Sequence, residues 1–127
     1  MSEKIPISNG ELLDKFSILE LKYNKIIDPD KINNIKNEIS YLRDICYNII
    51  NSYNITNLYY ELKQVNEVLW NIEDNIRIKE NKQEFDNEFI ELARNVYKTN
   101  DKRANIKKTI NEISGSEIIE EKSYEKY

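Results

Sequence analysis

Between residues 32 and 53 the chain places Ile32, Ile35, Ile39, Leu42, Cys46, Ile49 and Tyr53 at alternating steps of three and four. That spacing returns a side chain to one face of an α-helix in every step. A strand, whose faces alternate every second residue, cannot use it. Three more segments carry the same signal. Leu12, Phe16, Leu19, Tyr23 and Ile26 predict a first helix, and Leu58, Leu62, Val65, Leu69, Ile72 and Ile76 a third. Phe85, Phe89, Leu92 and Val96, then Thr99, Arg103, Ile106, Ile110 and Ile113, predict a fourth. The expected fold is all-α: a four-helix antiparallel bundle or two packed helical hairpins, with coiled-coil-like seams.

Local chemistry sets the expected boundaries. Ser8-Asn9-Gly10-Glu11 has the form of a capping box, in which Ser8 takes the Glu11 amide and the Glu11 carboxylate reaches back. The first helix then runs to about Ile27. Leu13, Ile18 and Leu21 lie off its seam, so it should be the most enclosed of the four. Asp28 and Pro29 suit the cap and first turn of the second helix. Thr56 is expected to cap the third, with Ile55 and Tyr60 as a hydrophobic staple. Gly115 suits the residue just past the fourth. Residues 1–113 therefore read as one helical domain, and 114–127 as a charged tail that either frays or folds back.

Composition narrows the function classes. Two glycines and two prolines in 127 residues argue against nucleotide-binding folds built on glycine loops and against turn-rich sandwiches. There is no histidine, which excludes Ser-His-Asp chemistry and His-ligated metal sites. The single Cys46 falls on the helical seam and reads as a small buried hydrophobe. A formal net charge of −4 argues against nucleic acid as a partner. The polar first residues lack an apolar signal-peptide region, and no apolar run approaches a membrane span. A reducing, cytoplasmic setting is expected.

Ile, Asn, Lys and Tyr make up about half of the chain. All four have A/T-rich codons, so lysine is the default cation here. The four arginines, Arg43, Arg77, Arg94 and Arg103, are correspondingly more informative, because each points to a need for the planar guanidinium fork.

Two polar stripes stand beside the seams. Trp70, Glu73 and Arg77 share one face of the third helix, as an aromatic platform next to a positioned guanidinium. On the fourth, Tyr97, Asn100 and Ala104 form a similar stripe, Arg94 and Asp101 lie further out, and Thr99 and Arg103 stand on the seam itself. Arg103 occupies a core-type position, four residues after Thr99 and three before Ile106. A buried arginine needs a carboxylate, and Asp14, Glu20 and Glu73 are the available ones. The seven residues Trp70, Glu73, Arg77, Arg94, Tyr97, Asn100 and Arg103 are the candidate ligand- or partner-binding set; no catalytic residue is assigned. The acidic pairs Glu11/Asp14 and Glu88/Glu91 have the spacing of helical magnesium ligands. In a chain so rich in glutamate such pairs arise readily by chance, and neither a metal nor a cofactor is expected.

GELLDKFSILELK, LWNIEDNIR, FIELARNVYKTNDKRANIKKTIN and GSEIIEEKSY resemble motifs of an uncharacterised family of small all-helical proteins. The resemblance is weakest from about Ile27 to Asn57. It implies a setting, since bacterial members are often encoded among glycosyltransferase genes for surface polysaccharide or lipopolysaccharide. It implies no catalytic residue. The reading that follows is a non-enzymatic accessory protein with a protein partner such as a glycosyltransferase, itself a homodimer. The alternative is a small binder or enzyme for an anionic metabolite, using Arg and Glu within the bundle.

Overall fold

The computed structural model describes residues 2–127 and contains four helices: α1 Asn9–Lys25, α2 Pro29–Ser52, α3 Thr56–Asn81 and α4 Asn87–Ser114. No strand occurs among the described residues. No helix is long and apolar enough to cross a membrane.

The helix ends follow from their local residues. Ser8 caps α1 by accepting from the Glu11 amide at 3.2 Å. The reciprocal half of the box is not made, because the Glu11 carboxylate is taken by Lys107 of α4. The first helix stops at Lys25, two residues short of the expected end, and Asp28 caps α2 through the amides of Asp30 and Lys31. Thr56 does not cap α3. It is the first helical residue, Ile55 stands in the cap position, and no side chain bonds there. In place of a cap, Asn54 adopts φ +53° and the Ile55 amide closes on the Ile50 carbonyl at 3.0 Å. Ile55 is buried while Tyr60 faces solvent, so the expected staple is not formed. Asp86 caps α4 through the Phe89 amide at 3.0 Å. Gly115, in the left-handed region at φ +63°, ends it.

α1 is the centre of the bundle and packs against each of the other three helices. Leu13 and Phe16 are almost wholly enclosed, with Leu12, Leu19 and Leu21 beside them. Ile35, Ile39, Cys46 and Ile50 of α2 close one side, and Leu62 and Tyr59 of α3 with Ile110 of α4 close the others. The terminal seam residues Tyr23 and Tyr53 lie outside this core and face solvent. Gly10 is needed at the α1–α4 crossing: a Cβ there would lie 2.5 Å from the Lys107 carbonyl oxygen.

Helix length shapes the rest. At about 1.5 Å per residue, α1 with 17 residues spans roughly 26 Å and α4 with 28 spans roughly 42 Å. α1 meets α4 at Gly10–Asn111 and Asp14–Arg103 and stops well before the start of α4. The α3–α4 hairpin therefore extends past α1 as an arm, and no residue from 73 to 98 is fully buried.

Candidate functional site

Asp14 is the most enclosed charged residue of the fold, 1% exposed. Its carboxylate must be fully satisfied to sit there. Arg103 of α4 reaches it with both arms of the guanidinium: Nε donates to Oδ1 at 2.9 Å and Nη2 donates to Oδ2. Asn66 of α3, also buried, donates through Nδ2 to Asp14 Oδ1 at 2.9 Å and to Ser17 Oγ at 2.8 Å. The Ser17 hydroxyl in turn donates to the Asp14 carbonyl. Three helices thus share one polar joint. The hydrogen bond to Asp14 raises the Arg103 guanidinium above its ordinary value, against the lowering effect of burial. Of the three candidate carboxylates, Asp14 is the partner. Glu20 instead accepts from the Tyr59 hydroxyl, and Glu73 pairs with Arg77.

A second ring of bonds ties the two ends of the chain together. Asn111 accepts the Gly10 amide at 2.6 Å, Ser116 accepts the Asn9 amide at 3.2 Å, and Ser8 donates to Glu120 at 2.9 Å. From there the tail runs back along α4. Lys122 donates to Asp101 at 3.1 Å, and the Tyr127 hydroxyl donates to the same carboxylate at 2.6 Å.

Arg103 leaves the joint 28% exposed and forms one wall of an open cleft of about 510 Å³. Ile18 and Leu21 of α1 line it, with Trp70, Glu73 and Arg77 of α3 and Asn100 of α4. Five of the seven predicted residues, Trp70, Glu73, Arg77, Asn100 and Arg103, therefore meet in one place. Arg94 and Tyr97 do not. Arg94 pairs with Glu91 on the exposed side of α4, and Tyr97 packs edge-on against Tyr127 with ring centroids 5.1 Å apart. The reason is angular: on α4 the cleft faces the α1 side, while Tyr97 lies on the side followed by the tail.

A family model described as a family of unknown function, DUF6165, matches residues 3–127. The chain belongs to the DUF6165 family. No curated protein and no solved structure matches it. The match spans α2 as well as the segments quoted above, so the family covers the whole bundle and the tail.

Sequence reasoning missed part of this DUF6165 joint. Asn66 and Asn111 are buried and bonded, but asparagine is so common in the chain that neither stood out. Asn66 did carry one signal, its step of four from Leu62. Lys107 was hidden among the other lysines. It bonds the Glu11 carboxylate and stands 3.9 Å from Asp14, so its ammonium bridges the two acids whose spacing resembles that of helical magnesium ligands. Among the described residues no cluster of three or more His, Cys, Asp or Glu is placed to hold a metal ion.

Proposed function

We propose that the protein is a non-enzymatic helical accessory protein whose recognition surface is the cleft of Trp70, Glu73, Arg77, Asn100 and Arg103. The observation that carries this reading is the three-helix joint at Asp14, which fixes Arg103 in the wall of a cleft that also presents an indole. Tryptophan and arginine, held rigidly, are the residues that most often dominate the energetics of protein interfaces. Both arginines of the cleft are already matched within the fold, Arg103 by Asp14 and Arg77 by Glu73, while Asp74 adds a carboxylate with no ion-pair partner among the described residues. A surface of that kind offers shape and directed hydrogen bonds. The same matching weakens the alternative of an anionic-metabolite site at Arg103, since the positive charge is spent on Asp14.

The partner class comes from the resemblance to proteins encoded among surface-glycan genes: a glycosyltransferase, met in the cytoplasm. The protein acts as a homodimer. The projecting arm supports that, because Ile78, Phe85 and Ile90 are each at least half exposed on it. A photo-crosslinking residue at position 70 or 77, expressed in the native host, tests the reading. The expected product is one glycosyltransferase adduct from both positions and none from position 34 on the far helix. Adducts independent of position, or none from the cleft, overturn it.

A further inference from the structure

A second cleft, of about 430 Å³, lies between α1 and α2, and its α2 wall falls in the stretch where the family resemblance is weakest. Its walls are aromatic. Tyr23 comes from α1 and Tyr47 from α2, each roughly 40% exposed, and Tyr47 meets the buried Phe16 edge-on with ring centroids 5.5 Å apart. Lys36 and Arg43 stand seven residues apart on α2, on one stripe about 10 Å long. Long side chains at that spacing can close on one group between them.

The charge state of this cleft differs from the first. Arg77, Arg94 and Arg103 each bond a carboxylate. Among the described residues Arg43 has no carboxylate within 4.0 Å and no hydrogen bond. The Lys36 ammonium stands over the Tyr23 ring, 5.9 Å from its centroid. The only carboxylate lining the cleft, Glu20, is occupied by the hydroxyls of Tyr59 and Tyr47 and by Lys63 at 3.8 Å. The result is two uncompensated cations beside two accessible phenol rings. In a chain whose default cation is lysine, an unpaired arginine at the mouth of an aromatic cleft calls for a ligand that uses the guanidinium fork.

We propose that the α1–α2 cleft binds a planar aromatic ring carrying phosphate, of the mononucleotide class, with the ring against Tyr23 and Tyr47 and the phosphate between Lys36 and Arg43. Phosphate is the anion that a guanidinium holds bidentately. A bare phosphate would gain nothing from the aromatic walls, and a neutral ring would leave both cations unanswered. The volume lies within the range of small-molecule pockets, which pair an aromatic lining with a few placed polar groups.

Isothermal titration with ADP and UDP, and with adenosine and pyrophosphate as the separated halves, tests this. At least one nucleotide should bind with a Kd below about 1 mM. Each half alone should bind at least roughly tenfold more weakly. Arg43→Gln, at an exposed position that leaves the core intact, should weaken the nucleotide by about tenfold. Arg77→Gln, in the other cleft, should leave it unchanged. Absence of binding, pyrophosphate binding as tightly as the nucleotides, an indifferent Arg43→Gln, or a sensitive Arg77→Gln would each overturn the assignment.

Discussion

Arg103 is a quarter exposed, yet it neutralises a carboxylate that water cannot reach. Its value lies in the fork, because Nε and Nη2 address the two oxygens of Asp14 separately. Lysine could keep the charge but not the two-pronged geometry, so Arg103→Lys should cost about 1–2 kcal/mol in chemical denaturation. Arg103→Ala should cost more, about 3 kcal/mol, near the low end for a broken buried pair. Lys107, already 3.9 Å away, can close on the orphaned oxygen and soften the loss. Cys46 makes a different prediction. Burial and the nearby Glu20 push its thiol up to about 12. The neutral form is the one favoured by folding, so the thiol stabilises the fold below its ordinary value of 9.0 and that contribution is lost as pH rises through about 12. Labelling by a disulfide reagent at about pH 8 should be roughly a thousandfold slower in the native protein than in the unfolded chain. Native labelling at the unfolded rate would place Cys46 outside the core.

At the scale of elements, the α1–α4 crossing depends on close backbone approach. Gly10→Ala puts a methyl group against the Lys107 carbonyl, which belongs to a helix and cannot swing aside. We expect a loss of about 1–3 kcal/mol, with α1 displaced from α4. The tail is held more lightly. The hydrogen bond from Tyr127, then that from Lys122, lowers the Asp101 carboxyl from its ordinary 3.8. The ionised form is thus the one that favours docking. Docking is strengthened above that ordinary value and weakens as pH falls through the lower docked value. The ring contact between Tyr97 and Tyr127, followed by nuclear Overhauser effects, should persist at neutral pH and fade as pH falls below the ordinary 3.8 of Asp101. Absence of that contact at neutral pH would contradict the docking.

All four helices were legible in the sequence, because seams repeat and a repeat survives local noise. Their ends were legible where the residue type itself marks the cap, through a side-chain acceptor at Ser8 and Asp28 and through the left-handed backbone at Gly115. The start of α3 was not, since a left-handed Asn54 and a backbone bond from Ile55 do the work that Thr56 was expected to do. Arg103 stood out as a charge on an apolar seam, while Asn66 and Asn111 were lost in an asparagine-rich background. The aromatic cleft between α1 and α2 was invisible, because Tyr23 and Tyr47 belong to different helices and share no spacing.

For the whole molecule, one polar joint at Asp14 connects α1, α3 and α4, and the arm projects beyond it. The exposed Ile78, Phe85 and Ile90 on that arm lead us to expect a dimer in sedimentation equilibrium at tens of micromolar. A purely monomeric protein would remove the arm as an interface. The joint is what builds the cleft proposed as the recognition surface, so its energetic reality matters most. A double-mutant cycle measures it: Asp14→Leu, Arg103→Leu and the pair together, each unfolded in urea. If the two side chains act as one unit, each single variant loses about 3 kcal/mol, and the double variant is no less stable than either single one. The coupling is then about 3 kcal/mol. Losses that simply add, leaving a coupling below about 0.5 kcal/mol, would contradict the joint and with it the origin of the cleft.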